Sequence, residues 1–401
     1  MISLLSTTAP LYEWLVRPIT PHEFEQRFFQ RDLCVVSRGS PNYYDELLSL
    51  ETLDEILASG SIQYPDVTLV QSGREISQSE YADGVGKIDP LRTGQLFADG
   101  ATIIFNQCHT RVPSLTRFCA ALADAFSSKI QTNVYLTPQN AEGFKPHFDS
   151  HDVFVLQIAG SKHWRIYDAP VTLPLRGEHF DAKREAIGEV KQEFVLQAGD
   201  MAYLPRGMVH AAKSSSESSL HITTGLLAFT WADLFVQAVA EAAVADVSLR
   251  EHLPLGFGRA DYPEALKTSL YQEKLTTLWA HMVSSRPFTQ LMDEVVSRHR
   301  PVVNNMLTQI SHLATGLTLR SEIRSRQEWS VSEEDAACVL DCHEKRLRFP
   351  KFLTPAVEFL QRTRRCRISE IPDCVDDDGK MTLVKRLIKE GIVECLDVGS
   401  H

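Results

Sequence analysis

Residues 143–149 read GFKPHFD, and residues 198–210 read AGDMAYLPRGMVH. Around these two stretches, from Thr132 to about Phe229, short apolar runs alternate with turn residues, in the segments NVYLT, FVLQIAG, KHWRIYDAP, QEFVLQAGD, MAYLPRG and SLHITTGLLAF. Strands that recur roughly every 8 to 15 residues, separated by Gly-Ser, Gly-Asp and Pro-Arg-Gly turns, are typical of a β-barrel or a β-sandwich. The middle of the chain is therefore predicted to be one of these two architectures.

The two quoted stretches together contain a candidate metal site. Because side chains alternate along a strand, His147 and Asp149 are expected to point to the same face. His210 follows 63 residues after His147, on a predicted strand that can face the pair across a rolled-up sheet. Two imidazoles and one carboxylate suit a transition metal such as iron(II), and they leave the open coordination positions that a catalytic metal requires.

A possible cosubstrate anchor lies on the strand that follows Gly160. Lys162 shares a face with Trp164 and Ile166 by alternation. An inward-facing ammonium there could hold the free carboxylate of a dicarboxylate that chelates the metal through its other end. Hydrogen-bond donors to the same ligand could come from Asn133 and Tyr135, which share a face of NVYLT, and from Thr223 on the strand after His210.

At these residues the sequence resembles a known family. The motifs N-x-Y-x-T-P, G-F-x-x-H-x-D, F-x-L-Q-x-x-G-x-K-x-W and G-D-x-x-Y-x-P-x-G-x-x-H are similar to those of the JmjC/cupin-fold iron(II) and 2-oxoglutarate oxygenases. The most similar subgroup is the ribosomal oxygenases, which hydroxylate ribosomal proteins. The resemblance is strong over 133–223 and weaker over nearly the whole chain.

The resemblance implies a role for each matching residue. His147, Asp149 and His210 match the iron ligands, and Lys162 matches the basic residue that binds the distal carboxylate of 2-oxoglutarate. Polar positions of the cosubstrate pocket are matched by Asn133, Tyr135 and Thr223. Gly225 departs from the pattern, since related enzymes tend to have a small hydroxyl residue there, close to the substrate.

Other residues near the motifs are expected to have structural or peripheral roles. His151 and Asp152 directly follow the first stretch, and we expect them at the rim of the barrel or in contact with substrate rather than among the ligands. His163 faces away from the predicted interior, whereas His221 shares the face of Thr223 and could lie near the pocket. Two aromatic residues are predicted to be core, Phe154 and Trp164.

Outside the middle region, the sequence pattern predicts more helices than strands. Before the strands, helices are predicted at Pro21–Gln30 and Ser49–Ala58, and strands at Asp32–Ser37 and Ala101–Phe105. From Trp231 to about Asn305, helical spacing of apolar residues continues through ADLFVQAVAEAAVADV, KLTTLWAHMV and FTQLMDEVVSRH. After that come a helix in TPAVEFLQRT, a strand in CRISEI, and a helix leading into a strand in KMTLVKRLIKEGIVECLDV, an order typical of a winged helix.

The predicted fold class is mixed α+β. It consists of a double-stranded β-helix (cupin/JmjC jelly-roll) barrel with an N-terminal α/β elaboration over 1–230, a helical dimerisation region over 231–305, and a winged-helix-like domain over 306–401. The barrel family and the order of the parts follow from the resemblance. A homodimer is expected because the apolar stripe of the helical region exceeds what a barrel needs as cover.

Composition narrows the class of partner. The 401 residues contain 41 Lys and Arg against 52 Asp and Glu, a net charge of −11. Such acidity is poorly suited to binding nucleic acid or an anionic membrane, so neither partner is expected. The arginine cluster at 362–367 is more readily explained by a solvated helix end. Eight dispersed cysteines and a start without a secretory signal favour a cytoplasmic location.

Several functions share this site. The first hypothesis is a dioxygenase that uses iron(II), 2-oxoglutarate and O2 to hydroxylate a side chain of a protein or peptide, a ribosomal protein by resemblance, with succinate and carbon dioxide as products. The same metal site would serve an N-methyl demethylase or a biosynthetic hydroxylase of amino acids or peptides, and Gly225 favours the latter. A non-catalytic cupin and winged-helix binding module is the alternative from another class.

Overall fold

A computed structural model of the protein describes residues 8–168, 170–181, 187–284, 288, 291, 305–313, 316–326, 329–335, 337–342 and 345–397. The chain divides into two compact units, Met1–Ala228 and Phe229–His401. The first unit contains helices α1 (Thr8–Val16), α2 (Pro21–Arg27), α3 (Leu50–Ala58), α4 (Pro90–Ala98) and α5 (Pro113–Phe126). Its strands are β1 (Cys34–Val36), β2 (Val67–Gln71), β3 (Arg74–Glu75), β4 (Thr102–Phe105), β5 (Lys129–Thr137), β6 (Asp152–Ala159), β7 (Ser161–Tyr167), β8 (Val190–Gln197), β9 (Met201–Leu204), β10 (His210–Ser214) and β11 (Ser219–Leu227).

Two antiparallel sheets form the first unit. The larger has the order β1-β9-β6-β11-β5-β4-β2-β3, and the smaller has the order β10-β7-β8. Apolar side chains from both sheets meet in one cluster that includes Val153 and Val155 of β6 and Trp164 and Ile166 of β7. The two sheets therefore enclose a shared interior, as the alternating strand pattern predicts.

The other face of the large sheet is covered by helices. Phe154 and Leu156 of β6 belong to a second cluster with residues of α1, α2 and α5. Strand β6 is consequently buried on both faces, which explains why its sequence is a nearly continuous apolar run rather than an alternation. In α5, Leu115, Phe118 and Leu122 recur at helical spacing and are buried.

Tight turns set the register of the strands around the site. Gly160 joins β6 to β7 with a φ of +62°, and a Cβ there would lie 2.0 Å from the carbonyl oxygen of Ser218. Gly207, in the Pro-Arg-Gly turn before β10, has a φ of +89°, and its Cβ would lie 2.2 Å from the carbonyl oxygen of Val171. Only glycine tolerates both the backbone conformation and the contact at these turns.

The second unit contains helices α6 (Trp231–Ala245), α7 (Glu264–Ser284), α8 (Met306–His312), α9 (Thr354–Arg362) and α10 (Asp377–Lys389). Its strands are β12 (Glu322–Ser325), β13 (Ser330–Glu334), β14 (Ala337–Cys342), β15 (Lys345–Pro350), β16 (Arg365–Arg367) and β17 (Val393–Cys395). They form two three-stranded sheets, β16-β12-β17 and β13-β14-β15. Within the described ranges, every helix is too short or too polar to cross a lipid bilayer.

Most of the elements predicted from the sequence are present. The mixed α+β class is confirmed, and each predicted strand of the middle region coincides with one of β5 to β11. The helix predicted at Pro21–Gln30 ends at Arg27, and the strand predicted at Asp32–Ser37 shortens to Cys34–Val36. The continuous helical segment predicted after Trp231 is wrong over 250–263, where turns separate α6 from α7, and FTQLMDEVVSRH falls almost entirely outside the described residues.

The C-terminal predictions have a mixed outcome. The helices and strands predicted in TPAVEFLQRT, CRISEI and KMTLVKRLIKEGIVECLDV correspond to α9, β16, α10 and β17. The sheet β13-β14-β15 has no counterpart among the predicted elements. Its central strand, β14, is buried through Cys338, Val339 and Leu340, so it contributes directly to the core of the second unit. The winged-helix assignment stays a prediction.

Candidate active site

The three predicted ligands lie together. His147 forms an isolated antiparallel bridge with His210, the first residue of β10. Two backbone hydrogen bonds connect them, since His147 N donates to the His210 carbonyl at 3.2 Å and His210 N donates to the His147 carbonyl at 2.9 Å. Asp149 Oδ2 lies 3.9 Å from His210 Nε2. One nitrogen or oxygen atom from each of the three residues lies within 4.8 Å of the others, a spacing that allows one metal ion to bind all three.

Backbone contacts orient both imidazoles. The Nδ1 atom of His147 lies 2.8 Å from the carbonyl oxygen of Lys145, and that of His210 lies 3.0 Å from the carbonyl oxygen of Met208. A carbonyl can only accept, so both Nδ1 atoms carry the proton and both Nε2 lone pairs are free for a ligand. Burial lowers the pKa of His210 to about 4, and the neighbouring His147 contributes to the shift, so His210 is neutral at physiological pH. This donor set fits a divalent transition metal.

A buried lysine lies in the same pocket, which contains about 600 Å³ of empty space, its open mouth included. Lys162 on β7 is only 4% exposed, and its Nζ donates to Thr137 Oγ1 at 3.2 Å. Thr102 Oγ1 in turn donates to Thr137 Oγ1 at 3.3 Å. Burial lowers the pKa of Lys162 to about 7. An ammonium this poorly solvated would be stabilised by an anionic group of a ligand.

Aromatic side chains form one wall of the pocket that contains the lysine and the ligand cluster. His221 on β11 stacks on Tyr135 of β5, with ring centroids 4.9 Å apart and an interplanar angle of 6°. The Trp164 ring lies beside both His221 and His210, each at 5.9 Å between centroids. Burial, followed by the charge of Lys162, keeps the pKa of His221 well below its usual range. Burial, and then the charge of Asp149, raises the pKa of Tyr135.

Two buried polar atoms of this wall lack a protein partner. Among the described residues, none hydrogen-bonds to His221 Nδ1 or Trp164 Nε1. Both residues line the pocket. Buried polar groups are normally satisfied, so these atoms indicate that a polar molecule belongs in the pocket.

Of the four residues predicted to bind the cosubstrate, three line the pocket and one does not. Lys162, Tyr135 and Thr223 line the pocket. Asn133 shares their side of the sheet, opposite Thr223 in the strand register, but it does not line the pocket. Its Oδ1 accepts a hydrogen bond from Gln107 N at 2.9 Å, and its side chain also hydrogen-bonds to Tyr135. Asn133 is therefore placed to orient Tyr135.

Sequence reasoning missed part of the lysine environment. Thr137 lies on the same face of β5 as Asn133 and Tyr135, so the alternation used to select those two residues could have been extended to it. Thr102 and Phe144 also line the pocket. Phe144 belongs to the motif G-F-x-x-H-x-D and lies 5.5 Å from His147 between ring centroids, so the motif could have selected it, whereas Thr102 is distant in sequence from the motifs and has no such signal.

The other residues near the motifs have three different environments, and Asp152 is buried rather than at the rim of the barrel, where it was expected. Asp152 is fully buried, and its Oδ2 lies 3.6 Å from the guanidinium of Arg206. His163 points away from the interior and lies 3.6 Å from Glu193. Phe154 and Trp164 are buried, as predicted. His151 is half-buried beside β11, where its ring lies against Gly225.

Comparison with known protein families identifies the domain that contains this site. The model of the JmjC domain family matches residues 107–234, a range that contains all three residues of the cluster and Lys162. The fold is shared with a solved ribosomal oxygenase, YcfD from Escherichia coli in complex with cobalt and 2-oxoglutarate, at a TM-score of 0.56 and 16% identity. That likeness covers 94% of this chain and 99% of the other. The chain therefore contains a JmjC domain in a cupin-type fold.

Similarity in sequence identifies individual related proteins. The chain is homologous to ribosomal oxygenase 1 of Gallus gallus, with 31% identity over 307 residues, 71% of this chain and 50% of that protein. It is also homologous to the bifunctional lysine-specific demethylase and histidyl-hydroxylase NO66 of Drosophila mojavensis, with 33% identity over 256 residues, 61% of this chain and 28% of that protein. The chain spans at most half the length of these two relatives.

Proposed function

We propose that the protein is an iron(II)- and 2-oxoglutarate-dependent dioxygenase that hydroxylates an amino-acid side chain of a protein. The observation that carries the proposal is the shared pocket. It contains a cluster of two histidines and one aspartate at one place, and a buried lysine with a hydroxyl partner at another. A dicarboxylate cosubstrate needs both a chelating metal and a distant cation.

The donor set of this cluster, two imidazole nitrogens and one carboxylate oxygen, fits iron(II). When bound, iron(II) supplies coordination of the oxo-acid and of O2 and the oxidation of an unactivated C–H bond. The residues that would hold it are His147 and His210 through Nε2 and Asp149 through a carboxylate oxygen. The backbone carbonyls that accept from both Nδ1 atoms keep these lone pairs directed at one point.

Lys162 is proposed to hold the distal carboxylate of 2-oxoglutarate. At a pKa of about 7 the free lysine is half protonated at neutral pH, and an arriving carboxylate would raise that pKa by stabilising the ammonium. Thr137 Oγ1, 3.2 Å from Nζ, directs the amine toward the pocket. Tyr135, Trp164 and His221 line the same pocket and would lie against the carbon chain of the bound cosubstrate.

The substrate class is proposed from the relatives. Proteins named ribosomal oxygenase 1 and histidyl-hydroxylase align with this chain across the JmjC domain, which favours a ribosomal protein as the substrate. The chain is acidic overall, with a net charge of −11, and ribosomal proteins are basic, so long-range electrostatics would favour the encounter.

The test is a turnover assay coupled to mass spectrometry. Purified protein is incubated with iron(II), 2-oxoglutarate and total ribosomal protein, and succinate and peptides heavier by about 16 Da, the mass of one oxygen atom, are measured. We expect succinate and at least one such peptide from the wild-type protein, and neither from Asp149→Ala. Equal yields from the wild type and Asp149→Ala would contradict the proposal.

Demethylation is the second candidate function. Hydroxylation of an N-methyl carbon releases formaldehyde, so the same site could serve either reaction, and one relative carries both activities in its name. Formaldehyde formed from a methyl-lysine peptide, with no peptide gaining an oxygen atom, would favour this candidate over stable hydroxylation.

We also propose that the second unit mediates homodimerisation. Trp231 and Phe235 on α6 and Trp279 and Val283 on α7 are each more than half exposed, at a spacing of four residues on each helix. Large apolar side chains that are exposed on one unit in this number are typical of a protein interface. Sedimentation equilibrium should detect a dimer that Trp279→Lys weakens and that a control substitution in the first unit, Val85→Lys, leaves intact. A monomer at all concentrations would contradict the proposal.

We make two further proposals, one about the type of the C-terminal domain and one about the cellular location of the protein. The order α9, β16, α10 and β17 supports a winged-helix-like domain, for which no nucleic-acid partner is proposed because the chain is acidic. A cytoplasmic location is consistent with eight cysteines dispersed along the chain, seven of which are buried.

A further inference from the structure

The position of Gly225 has a steric explanation. Gly225 lies on β11 in ordinary strand conformation, paired with Gln131 of β5 and Val153 of β6, so its backbone does not require glycine. A Cβ at this position would lie 2.7 Å from both Cδ2 and Nε2 of His151 and 3.4 Å from Cγ of Gln131. The imidazole of His151 therefore occupies the space that a side chain at position 225 would fill.

This imidazole lies beside the mouth of the pocket, which we define as the end near Asp149, although it is not part of the pocket lining. The deep end is marked by Lys162, which is 4% exposed, whereas the side chain of Asp149 is 30% exposed. His151 follows Asp149 by two residues. Gly225 follows Thr223, which lines the pocket, by two residues on the same face of β11. Val153, the strand partner of Gly225 on β6, also lines the pocket, so the ring of His151 lies next to this end of the pocket.

The ring nitrogens of His151 are available for hydrogen bonds to a ligand. His151 is half-buried, and neither ring nitrogen has a hydrogen-bond partner within the part of the chain that the structure describes. A neutral imidazole offers one donor and one acceptor. Its contact with the Gly225 backbone holds the ring at the entrance, so little conformational entropy would be lost on binding.

We infer that His151 is a specificity-determining residue, which hydrogen-bonds to a polar target side chain at the mouth of the pocket, and that Gly225 makes room for its ring. This inference rests on the proposed function, because it names the group that recognises the substrate of that reaction. A substrate whose reacting side chain has no hydrogen-bonding group is expected to bind poorly.

A double-mutant cycle tests the inference. The probe is the synthetic, unmodified form of a peptide that gains an oxygen atom in the total ribosomal protein assay. Its Kd for the protein loaded with Mn(II) is measured by fluorescence anisotropy for the wild type, His151→Ala, Gly225→Ala and the double variant. Loss of one hydrogen bond at about 1.4 kcal/mol corresponds to a Kd about tenfold higher for His151→Ala.

The cycle separates recognition from general damage. Gly225→Ala alone should raise Kd because the new methyl group displaces the ring, but in the His151→Ala background it should have no further effect. His151→Asn, which keeps a donor and an acceptor, should restore most of the affinity, and His163→Ala, at an exposed histidine on β7, should match the wild type. Independent, additive effects of the two substitutions, or an unchanged Kd for His151→Ala, would overturn the inference.

Failure of the inference is distinguishable from failure of the proposed function. If the wild-type protein forms no succinate from 2-oxoglutarate and iron(II), the dioxygenase proposal fails, and the inference fails with it. If succinate and the oxidised peptide both form and His151→Ala binds the peptide as tightly as the wild type, only the role of His151 is refuted.

Discussion

Replacing Lys162 with methionine should stabilise the protein and weaken its binding of 2-oxoglutarate. Burial lowers the pKa of Lys162 from 10.5 to about 7, so an unfolded chain binds this proton more tightly than the folded one. The difference of 3.5 in pKa corresponds to about 5 kcal/mol against folding at pH 7 and below, at about 1.4 kcal/mol per unit. Methionine has a similar length and carries no charge, so Lys162→Met removes this cost and loses only the hydrogen bond to Thr137.

The sign of the pH dependence follows from the same shift. The folded-state pKa is depressed, so the wild type gains stability as pH rises from about 7 toward 10.5, where both states become neutral. The advantage of Lys162→Met should therefore be largest at pH 7 and should vanish near pH 10.5. Allowing for relaxation of both states, we expect a gain of at least about 2 kcal/mol at pH 7, or a Tm higher by roughly 4 to 8 °C.

Although Lys162→Met should stabilise the fold, it should weaken the binding of 2-oxoglutarate. Loss of a charge-assisted hydrogen bond worth about 1.5 to 3 kcal/mol should raise the Kd for 2-oxoglutarate by roughly 10- to 150-fold. In the wild type the affinity should fall as pH rises above 7, since the free lysine must then take up a proton before it can bind the carboxylate. That dependence should be absent from Lys162→Met.

Both effects can be measured on one pair of proteins. Calorimetric titration of 2-oxoglutarate into the Mn(II)-loaded protein gives Kd, and thermal unfolding of the metal-free protein from pH 7 to 10 gives the stability difference. Lys213→Met, at an exposed lysine on β10, is the matched control and should change neither quantity. A Lys162→Met variant that is no more stable than the wild type, or that binds 2-oxoglutarate equally well, would refute the reasoning.

Three further substitutions test the surroundings of the site. Asp149→Ala should abolish Mn(II) binding in calorimetry, because two imidazoles alone hold the ion weakly; full retention of affinity would exclude the aspartate as a ligand. Thr137→Val keeps the shape but removes the hydroxyl bonded to Lys162, so the Kd for 2-oxoglutarate should rise about fivefold, a cost of about 1 kcal/mol, and an unchanged Kd would contradict that role. Asp152→Ala leaves the buried Arg206 without its carboxylate and should lower the free energy of unfolding by about 3 to 5 kcal/mol in urea titrations, whereas a loss below about 1 kcal/mol would show that the pair is unimportant.

Local sequence was sufficient to predict much of the barrel and to select three residues that lie together as a candidate metal site. Strand periodicity is a local property, since side chains alternate wherever the backbone is extended, so the positions of β5, β6, β7, β9 and β11 could be predicted from short segments. The same alternation correctly placed Lys162, Trp164 and Ile166 in the interior. Residue types with metal-binding chemistry, at a spacing visible in two short motifs, are enough to select His147, Asp149 and His210.

The tertiary structure alone determined what those residues contact. That Asn133 supports Tyr135 rather than lining the pocket depends on Gln107, which lies 26 residues away in the chain. The ring of His151 against Gly225 joins positions 74 residues apart (225 − 151). Both contacts join segments of the large sheet that are distant in sequence, and they form only when those segments come together, because packing between distant segments leaves no periodic pattern in either one.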